Sequence, residues 1–133
     1  MIVLSKLKIN FEGLGEILVE IYPDKEYIVN RLFSKTPLEL LAKLWGGEIY
    51  MELPEVARVV CRDRKEYVEI GDVAYSPSFR SICIYFNTTP RTYYGDKIRA
   101  EEHVEVFGKV IKGLELLSRV KPGCKVRIEY FKG

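Results

Sequence analysis

The sequence predicts a mainly β fold, a barrel or sandwich whose ends are plugged by two short helices. Three observations lead there. Short runs in which apolar and polar residues alternate recur along the chain, as half-buried strands require. Turn signals built on glycine and proline separate those runs. Only two stretches are assigned to helices, and both are short. The 133 residues are enough for one core, so one domain spanning 1–133 is expected.

The elements follow in order. Val3, Ser5 and Leu7 to Phe11 lead into Glu12-Gly13-Leu14-Gly15, and Ile17, Val19 and Ile21 lead away, which is a hairpin. The two glycines supply the positive φ values that its turn needs. Pro23-Asp24 breaks the second strand. Asp24 can cap a helix whose apolar stripe is Ile28, Val29, Leu32 and Phe33, and Pro37 ends it because the residue before a proline disfavours helical angles. Leu38, Leu41, Leu44 and Trp45 fit one helical face, but the run is short and ends in Gly46-Gly47, so its type stays open. Glu48 to Leu53 alternates as a strand closed by Pro54.

From Glu55 to Glu66 charges crowd around Val56, Val59 and Val60, and no element is assigned. Tyr67 to Tyr75 is a strand interrupted at Gly71-Asp72, and Ser76-Pro77-Ser78 is a bend. Ile82, Ile84 and Phe86 then share one strand face, with Ser81, Cys83 and Tyr85 on the other. Asn87 to Asp96 has no apolar periodicity and is about as long as a loop becomes before it needs a functional reason. Val104, Val106, Phe107 and Val110 mark a strand, and 113–120 a short helix with Leu114 and Leu117 inward. After Pro122-Gly123, Val126, Ile128 and Tyr130 alternate with Lys125, Arg127 and Glu129 in a last strand. There is no internal repeat, low-complexity tract or linker.

Composition bounds the function classes. Hydrophobic residues make up 47% and charged residues 30%, the balance of a globular chain rather than a disordered one. A net charge of +2 is too mild to imply nucleic acid or an anionic membrane. No apolar run approaches the ~20 residues that span a bilayer, and the alternating N-terminus lacks the apolar core of a signal peptide. A cytoplasmic protein with no membrane partner is expected. Cys61, Cys83 and Cys124 are odd in number, without CxxC spacing, and there is one histidine, so no disulfide framework, metal site or cofactor is indicated. Fifteen glutamates and twelve lysines with no glutamine resemble thermophile composition.

Several segments together resemble a known family. Val106-Phe107-Gly108-Lys109-Val110 with Lys112-Gly113 is similar to the cyclophilin segment that carries the penultimate strand into the last helix. Trp45-Gly46-Gly47-Glu48-Ile49-Tyr50, Gly71-Asp72-Val73-Ala74-Tyr75 with Pro77, Cys83-Ile84-Tyr85-Phe86 with Thr89-Pro90, and Lys121-Pro122-Gly123 resemble the small cyclophilin-like proteins of unknown function found in archaea and bacteria. The resemblance covers most of residues 38 to 131. It implies a closed eight-stranded β-barrel with a helix over each open end, and it places 38–45 in a strand. Activity does not follow from fold.

Cyclophilins that isomerise prolyl bonds use an arginine directed at the prolyl peptide unit and an aromatic pocket for the ring. Laid on that pattern, the arginine position holds Lys43, a point charge without the planar guanidinium fork. The apolar and glutamine positions after it become Glu48, Ile49 and Met51. The pocket phenylalanine becomes Ile84, the tryptophan Arg99 or Ile98, and the histidine Val104 with His103 beside it. Most catalytic groups are therefore changed, and an isomerase here would rest on Lys43 and His103.

Other constellations weigh less. Cys83 and His103 could form a thiol–base pair, but a small buried strand cysteine and a surface histidine account for them more simply. Arg58, Arg62, Arg64 and Lys65, with Arg80, Arg91, Lys97 and Arg99, are basic, yet Glu55, Asp63, Glu66 and Glu69 interleave with the first group as on a solvated face. No nucleic-acid partner is expected. The aromatics Trp45, Tyr50, Tyr75, Phe79, Tyr85, Tyr93 and Tyr94 gather in segments that the family places around the barrel's binding face. Trp45, Tyr50, Tyr75, Phe79, Arg80, Tyr85 and Thr88 are the candidate ligand-binding residues, for a small molecule or short peptide. The alternatives are a weak prolyl isomerase using Lys43 and His103, or a homo-oligomeric module that self-associates through Tyr93-Tyr94.

Overall fold

The computed structural model describes residues 3–54 and 59–133. Glu55, Val56 and Arg58 of the charged stretch lie outside the described residues. The hairpin forms as expected from β1 (Lys6–Phe11) and β2 (Gly15–Ile21). Leu7 faces Val19 and Ile9 faces Ile17, and all four are fully buried. A 3-10 turn, Pro23–Lys25, then leads into α1 (Glu26–Leu32). Ile28, Val29, Leu32 and Phe33 are buried as their spacing demands. Asp24 caps nothing: it sits inside the 3-10 turn, and neither start carries a side-chain cap.

The ambiguous 38–45 segment is extended, as the resemblance implies. It splits into β3 (Leu38–Leu41) and β4 (Lys43–Trp45), and Ala42 between them bonds to Gly123 and Cys124. The remaining strands are β5 (Glu48–Glu52), β6 (Lys65–Val68), β7 (Asp72–Ser76), β8 (Ser81–Tyr85), β9 (Ile98–Lys112) and β10 (Lys125–Phe131). All pair antiparallel, in the order β3-β10-β1-β2-β9-β7-β8-β5-β4, with β6 added on β9. The fold is mainly β with two short helices. Among the described residues its ladder has ten strands rather than eight, and the path ends β3 and β4 meet through Ala42 instead of a ladder.

The second helical stretch is the 3-10 helix Leu114–Arg119. Its inward residues are Leu116 and Leu117, whereas Leu114 stays 36% exposed. Gly113, at φ +87°, turns the chain out of β9, and the first residue after that turn remains at the surface. Among the described residues no helix is long and apolar enough to cross a membrane.

Two apolar clusters fill the fold, and β5, β7 and β8 lie between them. One face of these strands sends Ile49, Met51, Val73, Tyr75, Ile82 and Ile84 into the main core, where α1 also packs. The other sends Ala74, Cys83 and Tyr85 into a second cluster with Val68, Ile98, Ala100, Val104 and Val106. Strand β9 makes this second layer possible. Its early part pairs with β6 and its later part with β7 and β2, with register shifts between. The early part therefore covers the outer face of the sheet.

Candidate functional site

Alternation puts Glu48, Tyr50 and Glu52 on the outer face of β5, opposite the core residues Ile49 and Met51. Across the ladder, Glu48 faces Tyr85, Tyr50 faces Cys83, and Trp45 on β4 faces Glu48. The early part of β9 brings Glu101 over this surface. The Tyr85 hydroxyl donates to Glu101 Oε1 at 2.8 Å, and the Cys83 thiol donates to Oε2 at 3.2 Å. Arg91 steadies β9 here by donating to the carbonyls of Ala100 and Glu101 at 2.9 and 2.7 Å. Trp45, Glu48, Tyr50, Glu52, Phe79 and Glu101 line a cavity of about 320 Å³.

The electrostatics of this cavity centre on Glu48. It is 1% exposed, and its Oε1 has no hydrogen-bond partner among the described residues. Burial first, and then the neighbouring Glu101, push its carboxyl up to about 9. Both causes favour the protonated form of Glu48. Burial, reinforced by Glu48 and Glu101, also raises the Cys83 thiol well above its usual value, so Cys83 is no activated nucleophile. Burial raises the Tyr85 hydroxyl as well.

Of the residues chosen from sequence, Trp45, Tyr50 and Phe79 come together in the cavity. Tyr85 reaches it indirectly, through its bond to Glu101. Tyr75 does not belong: it is 3% exposed and points into the main core, because strand alternation sets it opposite Ala74. Arg80 is exposed at φ +48°, and its carbonyl accepts from Leu53. Thr88 is exposed too, and its carbonyl accepts from Gly47. Neither lines the cavity.

The residues an isomerase would need are dispersed. Lys43 Nζ lies 2.7 Å from Glu52 and His103 Nε2 3.9 Å from Glu66, with no cavity in common. Ile84 faces the main core, Val104 and Ile98 lie in the second cluster, and Arg99 binds Glu66 at 2.6 Å. Cys83 turns to Glu101 rather than to His103.

Sequence reasoning missed Glu48 and Glu101 as site residues. Glu48 carried a usable signal, since a strand with Ile49 and Met51 inward must place Glu48 beside Tyr50. Glu101 carried none, because it arrives from a distant strand. A second omission is that Glu48, Cys83 and Glu101 place ligand-capable atoms within 4.8 Å of one another, a trio that could hold a metal ion. No spacing motif announces it, since each residue comes from a different strand.

The Gly46-Gly47 turn sets the cavity wall. Gly47 donates to the Thr88 carbonyl at 2.8 Å and accepts from the Phe86 and Asn87 amides at 2.8 and 3.1 Å. A Cβ on Gly47 would lie 2.2 Å from the Asn87 carbonyl carbon. Gly47→Ala is therefore expected to push the β4–β5 turn off the 87–88 backbone and displace Trp45 and Glu48. A loss of about 1–3 kcal/mol is expected in chemical denaturation, with a shift in Trp45 emission. Wild-type stability with unchanged emission would contradict this close packing.

A hypothetical protein from Archaeoglobus fulgidus, determined in solution, is similar in structure, with a TM-score of 0.75 and 34% sequence identity. The match covers 96% of this chain and 95% of that one. No curated protein matches. The profile of the family described as Cyclophilin-like matches residues 5–129, nearly the whole chain, so with the fold and these segments in place the protein belongs to the cyclophilin-like family.

Proposed function

We propose that the protein is a binding module that takes a small molecule or the end of a short peptide in the Trp45–Glu48–Phe79 cavity, without efficient prolyl isomerisation. One observation carries the reading: three aromatic side chains and a buried carboxyl with a vacant acceptor oxygen line one cavity. Its volume suits a small ligand. Aromatic walls with a few convergent polar groups are the usual make-up of such a site. Among the described residues no arginine lines it, and Lys43 is occupied by Glu52. We also read β3–Ala42–β4 as one kinked strand that closes the barrel.

NMR exchange spectroscopy on an Ala-Pro peptide tests the division between binding and catalysis, because uncatalysed interconversion takes tens to hundreds of seconds. Added protein is expected to leave the cis/trans exchange rate unchanged. Exchange cross-peaks that appear with wild-type protein and vanish with Lys43→Ala would make it an isomerase instead.

A further inference from the structure

We propose that the ligand of this cavity is an organic cation, an ammonium group on an apolar body, with the charge set against Glu48 and Glu101 and the body among Trp45, Tyr50 and Phe79. This rests on the binding reading above and names its ligand class.

The lining is half aromatic and half acidic: Trp45, Tyr50 and Phe79 against Glu48, Glu52 and Glu101. Among the described residues, no lysine, arginine or histidine is part of it. The three acids are not equivalent. Glu52 is met by Lys43 at 2.7 Å. Glu101 accepts from Tyr85 and Cys83, one on each oxygen. Glu48 is 1% exposed, with an oxygen that accepts from nothing among the described residues. A buried polar atom left without a partner is unfavourable, and a donor brought by a ligand would satisfy it.

A cation fits this surface in two independent ways. It supplies the missing donor, and it is drawn to the faces of aromatic rings. An anion would meet three carboxyl groups, and the nearby Lys43 ammonium is already paired with Glu52. A bare metal ion on Glu48, Cys83 and Glu101 is the rival occupant. It would require a fully buried thiol to ionise between two carboxyl groups, and it would leave the aromatic wall without a role.

Trp45 is the chain's only tryptophan, so its fluorescence reports on the cavity. The experiment titrates the full chain with three probes of similar shape: benzylamine, benzyl alcohol and benzoate. Benzylamine is expected to change Trp45 emission saturably and to bind at least about tenfold more tightly than benzyl alcohol, the advantage of a charge-assisted hydrogen bond, while benzoate has no effect. Glu48→Gln should weaken benzylamine at least about tenfold. Glu101→Gln serves in its place if that variant does not fold. Cys83→Ser should change the affinity less than about twofold.

Equal or tighter binding of benzyl alcohol or benzoate overturns the cation assignment and leaves the binding cavity standing. No response to any probe overturns both. Zinc ions that displace benzylamine in the wild type, but not in Cys83→Ser, would show a metal site and also overturn the cation assignment.

Discussion

Glu48→Gln is expected to stabilise the protein by an amount that grows with pH, by roughly 4 kcal/mol between pH 5 and pH 8. The reason is the direction of the Glu48 shift. Its folded value is raised to about 9, whereas an unfolded glutamate titrates near ~4.3. Between these values the folded chain holds a proton that the unfolded chain has released. Stability therefore falls as pH rises, by about 1.4 kcal/mol per unit for this one group, and the fall ends once the folded carboxyl itself ionises. Glutamine has no proton to lose. Burial comes first and Glu101 on β9 adds to it, while hydrogen bonds from Cys83 and Tyr85 on β8 pull the other way without cancelling the rise. Denaturation of both proteins at pH 5, 6.5 and 8 measures the difference, and other titrating groups cancel in it. A gap that stays constant with pH would show that Glu48 is ordinarily ionised in the fold. The same cost is what a cationic ligand would relieve, which links the stability experiment to the fluorescence titration.

How much of this was legible depended on whether period-2 alternation survived in the sequence. It did in β8, where Ile82 and Ile84 were correctly separated from Cys83 and Tyr85. It also survived in β7, yet Tyr75 was placed in the site for being aromatic, when its alternation with Ala74 turns it to the core. The face a strand residue occupies, not its aromatic type, decides whether it reaches the site. In β9 the pattern was broken by Arg99, Glu101, Glu102 and His103. That early part spends its side chains on ion pairs and on the second cluster, so alternation marks the strand only from Val104, whereas it begins at Ile98. The charges that hid the strand include the carboxylate that completes the cavity. Segment 38–45 was beyond local pattern for another reason. Its two parts pair with different partners, β10 and β5, and only the family resemblance placed it in a strand.

Removing Glu105 is expected to cost about 3–5 kcal/mol, the range found when one partner of a buried ion pair is deleted. Glu105 is 0% exposed, and its Oε2 lies 2.6 Å from Lys25 Nζ. Its Oε1 accepts from the amides of Arg62 and Asp63 at 2.6 and 3.2 Å. Burial pushes this carboxyl up, but the Lys25 ammonium and the two amides together hold it below the usual range. Burial likewise lowers Lys25, and the bond to Glu105 more than compensates, leaving it raised. The signs are opposite to that of Glu48. The depressed Glu105 contributes stability above the ordinary carboxylate range and loses it as pH falls through its folded value. The raised Lys25 contributes below the ordinary lysine range and loses it as pH climbs beyond. The pair therefore stabilises across neutral pH. Glu105→Ala leaves the Lys25 ammonium with only the exposed Asp63 carboxylate at 3.7 Å and frees both amides, so urea denaturation at pH 7 should show most of the loss, with faster hydrogen exchange at Arg62 and Asp63. Lys25→Met leaves a buried carboxyl that can take up a proton, so its loss should be smaller at pH 5 than at pH 8. A Glu105→Ala loss under about 1 kcal/mol would put the pair with ordinary surface ion pairs, and the 62–63 backbone would then be held by other contacts.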